Sequence, residues 1–351
     1  MAERQGPKVY SIAAHRGFAD ALVAGLVPRY ANDEFGLARL TLLVPSSRAR
    51  RTISEAFIRH AGEQGTPGLL MPRMAVVGDL DLDETLGPLL DPLGAADIPR
   101  AIEPQRRLFA LARLIADTMG DEAPGGATLL RLARETGATM DRLLVEGVGP
   151  EELVGESVLD LFGSLSDHWQ RSLHLFATVQ AKWLEQLQQW DALDAAARRN
   201  RLFDWAAARW RAAPPETPIV AAGVTSAAPS LARLLRVVAD CDQGAVILPD
   251  FDLTMPQAVW DELGRAGATP EPGATPFARE DAVTHPQYHL KLLLGRMGVN
   301  RGEVQQWHRR GMGAANPDRT HAVSALFLPP EASKSWIDLP SEKRRLAGVR
   351  L

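Results

Sequence analysis

The opening of the chain, from Lys8 onwards, repeats one hydrophobic pattern twice. The first copy is the apolar run KVYSIAA, a polar break at HRG, and a segment with apolar residues at helical spacing, FADALVAGLVPRY. The second copy is LARLTLLVPSS followed by RARRTISEAFIRHA. Short β-rich runs that alternate with amphipathic helices are typical of an α/β fold with a parallel sheet, whose ligand-facing loops follow the carboxyl ends of the strands.

A third apolar run, LLMPRMAVVG, predicts a further strand, and its nearly continuous apolar character favours a central place in the sheet. From residue 101 the pattern changes, and apolar residues recur at helical spacing as far as residue 213. This stretch predicts an all-helical insertion, with an interruption at Gly137. Strands return at TPIVAAGV and AVILPDF, on either side of the predicted helix SLARLLRVVADC.

These elements predict one parallel α/β sheet whose sequence is split by the helical insertion. The sheet domain takes residues 1–100 and 214–330, and the helical subdomain takes residues 101–213. Two separate domains in series would leave the late strands as an isolated, poorly buried sheet. The last segment, 331–351, has an apolar and basic helical pattern without a capping signal, so we interpret it as the start of a further segment that is truncated here.

Composition and charge limit the classes of function. With 39 basic and 43 acidic residues the net charge is −4, which excludes a uniformly basic nucleic-acid coat but not a local basic patch. A single cysteine, Cys241, excludes an internal disulfide framework, and its apolar neighbours predict a buried, inert thiol. The sequence has no membrane-length apolar run, and MAERQGPK lacks a signal-peptide core, so we expect a cytoplasmic protein.

The loop after the first strand stands where a nucleotide-binding protein holds phosphate, and its residues are wrong for that role. A phosphate-binding loop needs glycines, a lysine and a hydroxyl for Mg²⁺. Here it is degenerate, with His15, Arg16 and Gly17, and Asp20 would repel a triphosphate. The strand IVAAGV lacks the carboxylate of an ATPase. We predict no hydrolysis and no cofactor; the alternative is a divergent nucleotide hydrolase that uses Arg16 in place of the lysine.

Two further patterns have both a metal-binding and a structural interpretation. DLDLDE places acidic residues close together after the third strand, but we favour an acidic loop that enters a short helix. HPQYH has His285 and His289 at i, i+4, but Pro286 makes a helix entrance a better interpretation than a zinc site. No metal site and no catalytic residue is therefore predicted.

Polar side chains suited to a nucleic-acid backbone follow the second strand. They supply hydroxyl and guanidinium groups at the predicted carboxyl edge of the sheet: Ser46, Ser47, Arg48, Arg50 and Arg51. Both kinds of group commonly contact phosphate. The alternative is that Ser47 caps the following helix and that the arginines are solvated, and the residues favour neither interpretation.

Over nearly its whole length the chain resembles the amino-terminal region of the AddB family, the second subunit of bacterial AddAB helicase–nucleases that process DNA double-strand breaks. The resemblance rests on segments in family order: KVYSIAAHRGFADALVAGL, LTLLVPSSRARRTISEAFIRHAG, LLMPRMAVVGDLDLDE, IEPQRRLFALARLI, SDHWQRSL, LDAAARRNRL, PIVAAGVTSAAPSLARLL with AVILPDFDL, and HPQYHLKLLLGRMGV. No single segment is catalytic, so the specificity lies in their number and order.

The resemblance implies a RecA-like core of the superfamily 1 helicase type that has lost its motor chemistry, with the helical block as its inserted subdomain. It implies a scaffold that guides single-stranded DNA beside an AddA-like motor subunit, in a region that reads the Chi recombination hotspot. DNA contacts are then expected after VPSS and from Arg73 to Asp79. The family's nuclease domain, with its paired carboxylates, lysine and iron–sulfur cysteines, is absent from these 351 residues.

A competing hypothesis is a docking module for the motor subunit, in which the helical block presents an exposed aromatic patch. We instead expect most of Trp169, Trp183 and Trp205 to lie in the core of that block. The basic run Arg198–Arg201 in the same block is interpreted as a solvated helix face.

Overall fold

The structure is a computed structural model, and it describes residues 6–14, 17–31, 35–65, 70–78, 97–149, 167–267 and 280–307. The strands in these ranges are β1 (Val9–Ile12), β2 (Thr41–Val44), β3 (Arg73–Val76), β4 (Ile219–Ala222), β5 (Gly244–Pro249) and β6 (Gln305–Gln306). The helices are α1 (Phe18–Tyr30), α2 (Ser47–Glu63), α3 (Pro104–Met119), α4 (Gly126–Glu146), α5 (Asp167–Gln189), α6 (Ala195–Ala212), α7 (Pro229–Asp240), α8 (Gln257–Glu262) and α9 (Pro286–Met297). None of these described helices is both long and apolar enough to cross a membrane.

The six described strands run parallel in one sheet, in the order β3-β2-β4-β5-β1-β6. β4 and β5 come late in the chain yet lie between β2 and β1. One sheet is therefore built from both sides of the helical stretch, which confirms the predicted α/β fold with a RecA-like parallel sheet and an inserted helical region. Because parallel strands are joined by crossovers, the loops that follow them come to the same carboxyl edge.

Alternate residues of β1 to β5 enter two hydrophobic cores, one on each face of the sheet. Leu43 and Leu248 belong to a core that is closed by α6, α7 and α9. Leu42 and Ile247, one position earlier on the same strands, belong to the opposite core, which is closed by α1 and α2. An all-parallel sheet requires helices on both faces, since both faces must be removed from water.

The prediction that the third strand is central was wrong, because β3 lies at one edge of the described sheet, beside β2. Ala75 packs in one core and Val76 in the other, and both side chains are buried. The continuous apolar run therefore indicates that both faces of the strand are buried, and it does not indicate whether the strand has neighbours on both sides. The short strand β6, at the other edge, has no counterpart in the sequence prediction.

Helices α3, α4 and α5 share a separate hydrophobic cluster, which we call the helical cluster, around Leu111, Met140 and Trp183. The helix that was predicted to break at Gly137 is continuous. A methyl group at Gly137 would lie 3.2 Å from Leu111 Cδ1, so the glycine allows α3 to pack closely against α4 without interrupting it. In contrast, α6 packs against α7 and belongs to the core of the sheet.

A partly buried ionic network joins α3, α4, α5 and the start of α6. Arg107 Nη1 lies 2.7 Å from Asp141 Oδ2, and its Nε lies 2.7 Å from Asp194 Oδ1. Trp183 Nε1 donates to Asp194 Oδ2 at 3.0 Å. Burial raises the pKa of Asp194, while the charge of Arg107 opposes that shift. Removal of one partner would leave a buried charge uncompensated, so the network fixes the relative positions of these helices.

The described tryptophans of the helical block lie in cores. Trp183 is fully buried and Trp210 is 5% exposed, while Trp205 is half-buried against the core of the sheet. Trp190 is partly buried, with the guanidinium of Arg106 4.0 Å from the centre of its ring. The prediction of core positions is confirmed for Trp183, and the side chain of Trp169 lies outside the described residues.

Arg296 of α9 connects the helical cluster to the sheet. Its Nη1 donates to the carbonyl oxygen of Ala227, in the loop after β4, at 2.6 Å and lies 2.8 Å from Glu146 Oε2 at the end of α4. Nearby, Asn200 of α6 donates to the carbonyl oxygen of Leu144 at 2.6 Å. These bonds fix the end of α4 beside the carboxyl edge of the sheet.

Trp307, directly after β6, is held against α1. Its Nε1 donates to the carbonyl oxygen of Ala21 at 3.1 Å, and its ring meets Tyr10 edge to face at 5.3 Å. The guanidinium of Arg29 lies 4.0 Å from the centre of the ring. A methyl group at Gly25 would clash with Trp307 Nε1, so the glycine is required for the ring to reach α1.

Replacement of Gly25 by alanine should destabilise the protein, because the added methyl group must displace the Trp307 ring from a closely packed site. Overpacking of this kind costs about 1–3 kcal/mol. We expect a lower urea midpoint when unfolding is followed by far-ultraviolet circular dichroism. The matched control is Gly62→Ala in α2, where the methyl group would meet no atom within 4 Å. That variant should keep or raise the midpoint, since alanine favours the helix by about 1 kcal/mol. Equal midpoints for the two variants would contradict the described contact.

Candidate nucleic-acid interface

The carboxyl edge of the sheet is closely packed by its own loops. A methyl group at Gly78, after β3, would clash with the carbonyl oxygen of Pro45, after β2. Gly223, after β4, has a φ of +74°, and a methyl group there would lie 3.8 Å from Pro45 Cδ. The absence of a side chain at Gly78 and the left-handed backbone at Gly223 allow these loops to meet.

At the position of a nucleotide phosphate loop, α1 presents an aromatic side chain. Gly17 is the residue before α1, while the other two residues of the degenerate loop, His15 and Arg16, lie outside the described residues. The ring of Phe18 packs over the end of β4, where its Cε1 would be 3.2 Å from a methyl group at Gly223. In phosphate-loop enzymes a carboxylate of the sheet holds Mg²⁺ beside the nucleotide, whereas here the strand end faces an apolar ring.

The amino end of α1 carries its own anion. Asp20 lies in the first turn, and its Oδ1 is 2.6 Å from Arg59 Nη2 of α2. The hydrogen bond from Arg59 to Asp20 raises the pKa of this guanidinium. A carboxylate is favourable at a helix amino terminus, and it repels a phosphate from the same position.

The two serines at the start of α2 have different roles. Ser46 is the N-cap, and its hydroxyl accepts a hydrogen bond from the backbone N–H of Ala49 at 3.2 Å. The sequence interpretation assigned capping to Ser47, which is instead the first helical residue and is exposed. The capping alternative is therefore correct for a serine of this pair, but one residue earlier than expected.

Arg48, Arg50 and Arg51 are exposed on the first turns of α2, and we call them the basic patch. Arg51 Nε lies 3.1 Å from Glu55 Oε1, in an ion pair whose side chains are 84% and 52% exposed. Arg48 and Arg50 have no ion-pair partner among the described residues. Exposed ion pairs contribute little to stability, so Arg51 can exchange Glu55 for a phosphate at small cost. The basic patch is therefore available to an anionic ligand.

Arg73 does not belong to the basic patch. The resemblance implies DNA contacts from Arg73 to Asp79, but Arg73 is the first residue of β3 and does not lie in the loop after the strand. Arg73 is paired with Thr41, the first residue of β2, at the amino edge of the sheet. The length of the strand, about 10 Å, separates Arg73 from the carboxyl edge. The contacts that were expected near Asp79 lie outside the described residues.

The loop after β5, beside the β1 loop, is held by one glutamine. Gln287 of α9 donates from Nε2 to the carbonyl oxygen of Asp250 at 2.8 Å, and its Oε1 accepts from the backbone N–H of Asp252 at 3.0 Å. Asp250 has a φ of +56°, and its N–H donates to the carbonyl oxygen of Ile12 in β1 at 2.8 Å. These two bonds of Gln287, which we call the Gln287 clamp, therefore maintain the unfavourable left-handed backbone of Asp250 at the carboxyl edge.

His285 fixes the amino end of α9. It is the N-cap, and its Nδ1 accepts a hydrogen bond from the backbone N–H of Gln287 at 3.1 Å. The residue is 4% exposed, and burial lowers the pKa of its imidazole, a shift that the carboxylate of Asp252 opposes. The helix-entrance interpretation of HPQYH is confirmed. Pro286 at the first helical position signalled this cap, but sequence reasoning missed the Gln287 clamp, for which the local sequence carries no signal.

The described residues contain no group of three or more His, Cys, Asp or Glu side chains that is arranged to hold a metal ion. The acidic run DLDLDE lies outside the described residues. Cys241 is 5% exposed, and burial raises the pKa of its thiol, which confirms the interpretation as a buried cysteine.

The interpretation of Arg198–Arg201 as a solvated face was wrong for Arg199. This residue is 5% exposed, and burial lowers the pKa of its guanidinium, a shift that Asp141 opposes. Its guanidinium carbon lies 5.9 Å from the centre of the Phe203 ring. A run of basic residues on a helix therefore includes a member that packs inside the protein.

Comparison with protein-family models and with curated proteins finds no match for this chain.

Acidification should destabilise the protein through the His285 cap. In the unfolded chain an imidazole titrates near about pH 6.5, whereas burial lowers the pKa of His285 in the folded state. Between the pKa of the unfolded state and that of the folded state, the unfolded chain binds more protons than the folded protein. The contribution of the cap to the free energy of unfolding is therefore fully present above about pH 6.5 and is lost as the pH falls through the folded-state pKa. We expect the urea midpoint to fall in that window.

His285→Asn supplies an N-cap acceptor that does not titrate, so it should flatten the pH profile of the urea midpoint. His289→Asn, at an exposed position on the same helix, should keep the profile of the parent protein. Parallel profiles for the parent and His285→Asn would show that the cap does not titrate in this range.

Proposed function

We propose that this chain is a helicase-like scaffold that guides single-stranded DNA without hydrolysing nucleotide, in the manner of the AddB subunits it resembles. It acts in the cytoplasm beside an AddA-like motor subunit, which supplies the ATP hydrolysis. The nuclease chemistry of that family is not assigned to these residues.

The observation that carries this proposal is that side chains of the protein itself fill the carboxyl edge of the sheet beside β1. Phe18 packs against Gly223, and Asp20 with Arg59 occupies the amino end of α1. A triphosphate at that position would have to displace an aromatic ring and approach a carboxylate. A parallel sheet with these contacts supports the hypothesis of a scaffold and disfavours that of a motor.

The basic patch supports the assignment of DNA as the ligand. Guanidinium groups and the first N–H groups of a helix are common contacts of backbone phosphates. Arg48 and Arg50 extend from the first turns of α2, at the same edge as the loops after β1 and β4. Because the whole chain has a net charge of −4, single-stranded DNA would be attracted to the basic patch and not to the surface in general.

The described tryptophans that would form an aromatic docking patch on the helical block are withdrawn from solvent, whereas Phe109 of α3 is 60% exposed. Trp183 is fully buried and bonded to Asp194, and Trp205 is half-buried against the core of the sheet. An interface centred on Trp183 would require the block to open, because this ring is fully buried.

Neutralisation of the basic patch should weaken the binding of a single-stranded oligothymidine. The logarithm of the binding constant falls linearly with the logarithm of the salt concentration, and for single strands each lost phosphate contact makes this slope shallower by about 0.7. The slope of the Arg48→Gln/Arg50→Gln/Arg51→Gln variant should therefore be shallower by about 1–2 units. Fluorescence anisotropy at several KCl concentrations measures this change. Arg51 should contribute least, because Glu55 already neutralises part of its charge.

Arg48→Gln and Arg73→Gln form a matched pair, since each removes one exposed arginine. Only Arg48→Gln should weaken binding, because Arg73 lies at the opposite edge of the sheet. Equal losses for the two variants would place the strand elsewhere and would reject the basic patch as its site.

Nucleotide should neither bind to this chain nor be turned over by it. Titration calorimetry with Mg·ATP should give no heat of binding, and phosphate release should equal that of buffer, because Phe18 and Asp20 occupy the phosphate position. ATP turnover that is abolished by Arg16→Ala would contradict this prediction and would support the divergent hydrolase.

A further inference from the structure

Helices α3 and α4 form the walls of a solvent-open groove of about 360 Å³ on the helical cluster. Its lining is mainly apolar, with Leu108 and Leu111 on one side and Ala133, Gly137 and Ala138 on the other. Glycine within a helix costs about 1 kcal/mol relative to alanine. A methyl group at Gly137 would contact Leu111, so the glycine is needed for α3 and α4 to meet closely at the floor of the groove.

Three arginines follow the α4 rim of this groove. Arg131, Arg134 and Arg142 are exposed, and Arg134 lines the groove itself. At about 100° per residue they share one side of α4 with Ala138, and they span about 16 Å along the helix axis. We call them the arginine ridge.

The arginine ridge, like Arg48 and Arg50 of the basic patch, is not held in ion pairs within the described part of the chain. By contrast, the exposed Arg233 pairs with Asp204 at 2.8 Å. No member of the ridge has an ion-pair partner among the described residues. Glu135 is the exposed carboxylate on the same side of α4, and no ion pair joins it to the ridge in the ranges that the structure describes, so the surface beside the groove carries an excess of positive charge.

Two aspartates at and below the floor of the groove face two arginines. Asp141 lines the groove, and its Oδ2 lies 2.7 Å from Arg107 Nη1, while Arg107 Nε lies 2.7 Å from Asp194 Oδ1. The charge of Asp141 also acts on the guanidinium of the buried Arg199. Because these charges are paired inside the protein, the electrostatic attraction of the site comes from the exposed ridge. The complementary ligand is therefore anionic at its rim and apolar at its centre.

We propose that this groove docks an acidic amphipathic helix of a partner protein. An apolar side chain of the partner enters between α3 and α4, and carboxylates one turn before and after it pair with the arginine ridge. A helix that lies in a groove presents anchors at i, i+3, i+4 and i+7, which matches a ridge about three turns long. This surface is separate from the basic patch of α2, and the inference does not depend on strand guidance.

The groove fits a peptide better than a nucleic acid. A single strand is held by phosphate contacts and by stacking of its bases on aromatic rings. The described residues that line the groove include no aromatic side chain. An apolar recess with small residues at its floor contributes nothing to a phosphate backbone, whereas it accommodates a leucine or isoleucine side chain.

The test uses the full chain and a fluorescein-labelled helical peptide of glutamate, leucine and alanine, with leucines at i, i+4 and i+7. Binding is measured by fluorescence anisotropy. Ala138→Phe fills the groove from an exposed position and should weaken binding about tenfold or more. Thr139→Phe, at the next exposed position but outside the groove, should leave the affinity unchanged. Arg131→Gln/Arg134→Gln/Arg142→Gln should also weaken binding about tenfold and reduce its salt dependence.

Three results would overturn the proposal. The first is an absence of binding at millimolar peptide, and the second is equal binding of a peptide whose leucines are replaced by alanine. The third is binding of oligothymidine that the ridge variant abolishes and Ala138→Phe leaves unchanged, which would assign the ridge to nucleic acid. Circular dichroism of each variant verifies that the chain remains folded.

Discussion

Parallel strands cannot be joined by tight turns, and each must be followed by a crossover that returns the chain to the same end of the sheet. In this protein helices make that return and bury both faces of the sheet, while β4 and β5 enter between β2 and β1 after the chain has passed through the helical cluster. The loops after the strands therefore collect at one edge. The same constraint separates Arg73 from the basic patch, because a residue that begins a strand lies at the opposite edge.

At the carboxyl edge the chain satisfies its own backbone and charges. Phe18 covers the end of β4, Asp20 pairs with Arg59 at the start of α1, and Ser46 caps α2. Phe18 and Asp20 take places that a nucleotide-binding protein leaves for its ligand, whereas Ser46 satisfies the backbone of its own helix. The exposed cations on α2 lie beside these groups at the same edge.

The type and order of the main elements were predictable because helical and strand spacing of apolar residues differ over a few residues. The sequence could not place β3 at the edge, since the order of strands depends on contacts between distant segments. For the same reason Gly137 was read as a helix break, although α3 needs it for close packing. The burial of Arg199 and the Gln287 clamp also depend on distant partners. In the candidate site, exposure of the arginines was predictable, and the filling of the edge by Phe18 was not.

β6 has two residues and pairs only with β1 among the described strands, so its backbone hydrogen bonds alone hold it weakly. The indole of Trp307 supplies the missing attachment through Ala21 and the space above Gly25. A fragment for expression that stops before residue 307 would expose the α1 surface that this ring covers. Trp307, one residue after β6, thus joins this edge strand to α1 through a side chain and not through a further strand among the described residues.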